Sequence, residues 1–123
     1  MPSVMTIDMP VTSLKGEAHP HQACIDACTK CVQICQECLN MCLNESDVKN
    51  RINCIGTLQD CAEICSTAAC FMSRESKNIK EICNACMTIC EKCASECGMF
   101  TDKHCKECAD TCRLCAEECR KMA

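Results

Sequence analysis

Twenty of the 123 residues are cysteine, and their spacing is what could do chemistry. From Ile82 the chain reads ICNACMTICEKCASEC, then GMFTDK, then HCKECADTCRLCAEEC. The first run places Cys83, Cys86, Cys90, Cys93 and Cys97 at spacings of 3-4-3-4. The second places Cys105, Cys108, Cys112, Cys115 and Cys119 at the same spacings, 22 residues later. Alternation of three and four is the inward seam of an amphipathic helix, the stripe that usually carries Leu and Ile. Here the whole seam is thiol. Upstream, Cys24, Cys28, Cys31, Cys35, Cys38 and Cys42 repeat the pattern as 4-3-4-3-4. A diluted version follows with Cys54, Cys61, Cys65 and Cys70, where Leu58, Ala68 and Met72 take the other inward positions. Cys70 lies five residues after Cys65 and falls off the strict seam.

Four kinds of chemistry compete for these thiols. As small hydrophobes they would fill a core, but a core of this kind wants Leu-sized volume, and Cys at every seam position leaves voids. A disulfide framework is disfavoured by geometry. Seam neighbours on one helix have Cβ atoms roughly 5–6 Å apart, whereas a disulfide needs roughly 3.5–4.5 Å. Iron–sulfur ligation lacks its closely spaced run ending in Cys-Pro. Zinc takes four ligands in a tetrahedron and usually draws them from two separated pairs on turns. Cu(I) suits the pattern best. Soft thiolates select it, and two of them suffice for one ion. Thiolates can also bridge ions, so a tube of thiols can approach one ion per cysteine, about 20 in all. A monovalent ion replacing each thiol proton leaves a buried volume neutral, and loading releases protons. Zinc or another soft metal, or a thiol redox-sensing regulatory role, remains the alternative reading.

Other residues could join the set. His104 precedes Cys105 at the expected way in, so it is taken as a metal ligand together with all 20 cysteines. Met41, Met99 and Asn53 fall near the same end. Asp60 stands beside Cys61, and His19 and His21 flank Pro20 near the other end.

The elements that must position these residues are helices. There is no Trp or Tyr, and there are only two Phe, three Gly and three Pro. Period-two runs of β-branched and aromatic residues are absent, which disfavours a sheet. Expected helices span about 20–44, 46–73, 75–97 and 102–122, joined by short turns. The fold class is therefore all-α, an up-down-up-down antiparallel four-helix bundle with a cysteine-lined core. In that topology Cys42, Cys54, Cys97 and Cys105 share one mouth, and Cys24, Cys70, Cys83 and Cys119 share the other. Apolar shoulders such as Ile25, Val32, Ile34, Leu39, Ile55, Ile64, Ile82 and Ile89 should let the bundle form without metal. Residues 1–19 read as a flexible arm, with Met1, Met5 and Met9 recurring in it, and 20–123 as the bundle.

Net charge is −4, with 13 basic and 17 acidic residues. That balance lacks the clustered basic face a nucleic-acid partner requires. No apolar run approaches the roughly 18 residues of a membrane span. The opening MPSVMTIDMPVTSLKGEAHPH has no basic n-region or apolar h-region of an export signal, so a cytoplasmic, reducing location is expected. No thiol or hydroxyl stands apart with a base, so an enzyme is not expected.

The combination of CxxC and CxxxC stripes with DCAEIC in the second helix and CADTCRLCAEECRKMA at the end resembles the bacterial copper storage proteins. The likeness covers residues 20–122, and the missing export signal is similar to their cytosolic branch. It implies storage of many Cu(I) ions per subunit inside the bundle and assembly as a homotetramer.

Overall fold

The structure, a computed structural model, describes residues 13–16 and 19–123. Most of the expected N-terminal arm, with Met1, Met5 and Met9, lies outside the described residues.

Four helices carry the described chain: α1 Gln22–Leu43, α2 Ile52–Ser73, α3 Ile79–Cys97 and α4 Lys103–Met122. A 3-10 turn, Val48–Arg51, leads into α2. Each helix packs on two neighbours, α1 on α2, α2 on α3, α3 on α4, and α4 back on α1. Diagonal pairs face each other across the middle without close backbone approach. The result is a four-walled tube of antiparallel helices. Its inner lining is Cys with Ala62, Ala68, Ala94, Ala109 and Ala116, and Leu58 and Met72 are the largest fully buried side chains. The eight apolar shoulder residues expected to pack the bundle are partly buried against that lining.

Three helices begin later than their sequence signals suggest, each for a local reason. Pro20 sits in a turn and His21 takes the N-cap position of α1. Ser46 does not cap α2. The chain instead makes the 3-10 turn, and the Asp47 carboxylate, which could have capped it, accepts a hydrogen bond from Arg51 Nε at 2.7 Å. Glu75 does not open α3 but closes α2. It adopts φ of 51°, the Ser76 N–H bonds Phe71 C=O, and the Glu75 N–H bonds Met72 C=O. That is a Schellman closure with a side chain where glycine is usual. Gly98 ends α3 as its composition suggests, yet with φ of −65° rather than a left-handed turn. A Cβ there would stand 3.0 Å from the Ala94 carbonyl oxygen, a tight contact that glycine avoids.

Candidate metal centre

Nineteen of the 20 cysteines are buried and none is paired in a disulfide. None of the nineteen exceeds 2 % exposure. The helical period puts each seam on one line, and the antiparallel packing brings four lines together, so sulfur meets sulfur at every level. At the far end Cys24 Sγ lies 3.8 Å from Cys119 Sγ, with Cys83 fully buried at the same level. Next, Cys28 meets Cys115 at 3.6 Å, and Cys65 meets Cys86 at 3.6 Å. In the middle, Cys31 meets Cys61 at 3.8 Å, and Cys61 meets Cys90 at 3.7 Å. Further along, Cys35 stands 3.9 Å from Cys108 and 3.8 Å from Cys112. At the near end Cys42 meets Cys105 at 3.8 Å, and Cys54 meets Cys97 at 3.6 Å.

Several sets of four ligand atoms lie within 4.8 Å of one another, and they share members. Cys28, Cys86, Cys115 and Cys119 form one, and Cys31, Cys65, Cys90 and Cys115 the next. Cys31 and Cys35 recur with Cys61 and Cys112, and Cys35 and Cys112 recur with Cys93 and Cys108. The fifth set is Cys38, Cys42, His104 and Cys105. Shared sulfurs link the first four sets, and Cys38 of the last neighbours Cys108 of the fourth, so the sets form a column rather than a string of separate sites. Thiolates can bridge ions along such a column.

Charge decides what fills it. Tetrahedral divalent ions would use four thiolates each, so about five would fit. About ten positive charges would then face 19 thiolates, a large buried imbalance. One monovalent ion per thiolate leaves no imbalance. Without metal, thiols at the two ends of the column resist ionisation: burial pushes the Cys83 thiol up to about 11. Burial and the adjacent Cys42 push Cys105 up to about 12. A soft cation that displaces the proton removes that penalty.

Cys70 does not join the column. Five residues at 100° each turn it about 140° away from Cys65, so it is exposed, while Met72 holds the inward position. It lies in an outer groove of about 770 Å³ with Ile25, Thr29 and Arg74. Asp60 and Asn53 are exposed on the outer faces. Met99 is 68 % exposed and Met41 47 % exposed. His19 Nε2 donates to the Ser73 carbonyl at 3.4 Å, and its Nδ1 accepts the His21 N–H. The buried Nδ1 of His21 has no partner among the described residues.

His104 is placed as a ligand would be. Its Nε2 faces Glu45 Oε2 at 3.0 Å. Its Nδ1 faces Cys38 Sγ at 3.4 Å and Cys105 Sγ at 3.6 Å. With the ring proton on Nε2, donated to Glu45, the Nδ1 lone pair points at the thiols. A carboxylate that fixes the tautomer in this way is the usual second partner of a metal-binding imidazole.

The sequence reading missed a layer of side chains at this end. Glu45, Arg51, Phe100 and Asp102 each lie three residues beyond a terminal cysteine of one helix, namely Cys42, Cys54, Cys97 and Cys105. Extending each seam one step would have found them. Arg51 is only 4 % exposed. It pairs with Asp102 at 2.6 Å and Asp47 at 2.7 Å, and lies 4.4 Å above the Phe100 ring. Its Nη1 also donates to Cys105 Sγ at 3.4 Å and Cys42 Sγ at 3.7 Å. Hydrogen bonding to Arg51 holds the Asp102 carboxyl below the usual carboxylate range.

A four-helix tube lined with convergent thiols defines a class: a helical bundle built to hold soft metal ions in its core. The copper storage protein family model matches residues 17–123, and the chain belongs to that family. The cysteine-rich protein YhjQ of Bacillus subtilis (strain 168) is 44 % identical over 102 residues, spanning 83 % of this chain and 94 % of that one. The Cu(I)-bound copper storage protein BsCsp3 from the same species superimposes with a TM-score of 0.80 at 44 % identity, over 83 % of this chain and 96 % of its own. A cytosolic copper storage protein from Streptomyces lividans, solved with five coppers, gives a TM-score of 0.80 at 33 % identity over 83 % and 90 % of the two chains.

Proposed function

We propose that this protein is a store and buffer for Cu(I), holding many ions per subunit on the thiolates of its core. The observation that carries the reading is the continuous column of 19 buried thiols whose four-sulfur groups share members. Bridging thiolates let ions pack at close to one per sulfur, and only a monovalent soft cation does so at neutral charge. Family membership and the Cu(I)-bound relative support the same conclusion. The proposed ligands are the 19 column cysteines and His104. Cys70 stands outside the set. The role is non-catalytic: the two thiols beside His104 Nδ1, Cys38 and Cys105, are buried and belong with it to one ligand set at the end of the column. A cytosolic site, as the Streptomyces relative is described, and assembly as a homotetramer complete the proposal.

Anaerobic titration of the reduced protein with Cu(I) against a chromophoric chelator tests it. Saturation is expected at about 19 equivalents, one per column thiol. Saturation at one to four equivalents would refute storage. Stoichiometric Zn2+ uptake from an equal mixture of the two metals would favour the zinc alternative.

A further inference from the structure

Among the described residues, one buried side-chain nitrogen has no hydrogen-bond partner, Nδ1 of His21. Leaving such an atom unpaired costs about 1–3 kcal/mol, so its place in the bundle bears on its use. The α1 cysteines alternate 4-3-4-3-4 from Cys24, and the next step back, three residues, lands on His21. The same extension on α3 lands on Ile79, four residues before Cys83, and on α4 it lands on Met122, three after Cys119. Both pack against the core, and on α2 the inward position is held by Met72, fully buried. The layer beyond the last far-end sulfurs is therefore an imidazole, two thioethers and an aliphatic chain. The other end carries a guanidinium and carboxylates in the corresponding layer. At the far end the cations Lys15, Arg74, Lys77, Lys80, Arg120 and Lys121 are all exposed, and Lys15 and Lys121 pair with Glu75 and Glu118. The seam thus stays soft and uncharged one step past its last thiols.

The two far-end histidines differ in what they have free. His19 Nδ1 accepts the His21 N–H at 3.2 Å, and its Nε2 donates to the Ser73 carbonyl at 3.4 Å. One neutral tautomer, protonated on Nε2, satisfies both contacts. His19 therefore ties the start of α1 to the end of α2 and has no nitrogen to spare. His21 has one. Residues three apart on a helix bring their Cβ atoms within about 5–6 Å, the separation shared by the CxxC pairs of the column. The run His21-Gln22-Ala23-Cys24 accordingly offers one ion an imidazole and a thiol where CxxC offers two thiols. Cys24 Sγ lies 3.8 Å from Cys119 Sγ, which lies 3.9 Å from Cys28 Sγ, so an ion there joins the column.

We propose that His21, through Nδ1, is a ligand of the terminal Cu(I) at the far end, together with the thiolates of Cys24 and Cys119. The inference rests on the storage reading above. The imidazole has no Nδ1 hydrogen bond to break when it turns onto the ion. It is neutral and supplies no thiolate, so it holds one ion more tightly and leaves the number of ions unchanged. Each ion bound displaces one thiol proton to solvent, and no electron moves. His19 is the positioning residue, and it touches no metal.

The test is long-range 1H–15N correlation NMR of the 15N-labelled, reduced full chain, followed as Cu(I) is added as its acetonitrile complex. The chain has three histidines, and His21→Phe identifies the His21 signals. On loading, the His21 Nδ1 resonance is expected to leave the position of an unprotonated nitrogen while Nε2 keeps its proton, and both His19 nitrogens are expected to stay in place. The same variant gives a second reading. When a chromophoric chelator withdraws the metal, one Cu(I) is expected to be held about tenfold more weakly in His21→Phe than in the unaltered protein, with the total bound unchanged. A His21 Nδ1 resonance unmoved at saturation overturns the proposal, as does a shift of His19 instead of His21. Identical withdrawal curves for the two proteins overturn it as well. Saturation of the unaltered protein at one to four ions would be a failure of the storage reading instead, so the two are told apart.

Discussion

Replacing Arg51 with Leu isolates the worth of the buried charge layer. Leucine retains an apolar stem of similar reach against Phe100 and removes the guanidinium. Three interactions dominate the loss, beside the weaker Nη1 bonds to the Cys105 and Cys42 sulfurs. The Asp102 pair, at 2.6 Å with side chains 5 % and 27 % exposed, is mostly sheltered from water. Losing it leaves a partly buried carboxylate alone, which costs about 2 kcal/mol, below the 3–5 of a fully buried pair. Asp47 is 42 % exposed, so screening limits its share to about 0.5 kcal/mol. The cation over the Phe100 ring adds about 1 kcal/mol. The sum is about 3.5 kcal/mol out of a total stability on the order of 5–15 kcal/mol. With a urea slope of about 1.5 kcal/mol/M, the unfolding midpoint should drop by about 2 M. The assay is urea unfolding of the reduced, metal-free protein under nitrogen, read by circular dichroism at 222 nm. Asp102→Asn and the double variant complete a cycle, and a coupling of about 1–2 kcal/mol is expected. A loss below about 1 kcal/mol with no coupling would refute the reasoning, because it would mean that the layer is solvated.

Other outcomes follow from the same geometry. Leu58 occupies a fully buried seam position between Cys54 and Cys61, so Leu58→Cys should add about one Cu(I) to the capacity at a cost of about 2 kcal/mol in metal-free stability. Titration and urea unfolding read the two effects. Iodoacetamide should modify a single thiol of the native reduced protein, Cys70, and the remaining 19 only after unfolding, because those are buried; intact mass spectrometry counts them. The contribution of Cys83 and Cys105 to metal-free stability should be flat through neutral pH and fall above about pH 9. Cys83 and Cys105 keep their protons in the folded state up to about 11 and about 12, but release them near 9 when unfolded. A raised folded pKa stabilises below the unfolded value and loses that contribution as pH climbs to the folded one. Thermal unfolding followed between pH 7 and 11 checks the direction.

The helix count, the antiparallel order and the thiol lining were all legible in the sequence, because a 3-4 alternation admits only one face and short turns admit only neighbours. That same period marked Cys70 as off the seam that Met72 rejoins, yet the sequence reading kept it among the ligands, and its exposed position corrects that. His104 could be singled out by its place beside Cys105. Which of its nitrogens meets the thiols could not, since that depends on Glu45, 59 residues away along the chain. The start of α2 was misjudged because Asp47 leaves its capping role to hold Arg51, whereas Asp102 stands at the N-cap of α4 as expected but bonds the same guanidinium rather than its own backbone.

Local spacing therefore determined that this chain lines a helical tube with sulfur, and soft-acid chemistry with charge balance pointed to Cu(I). Tertiary structure alone decided that Arg51 gathers Asp102 and Phe100 over the last sulfurs, Cys42 and Cys105, and that a cavity between α1 and α4 reaches Cys38. Periodicity acts within one helix, whereas these contacts depend on side chains brought together from different helix ends.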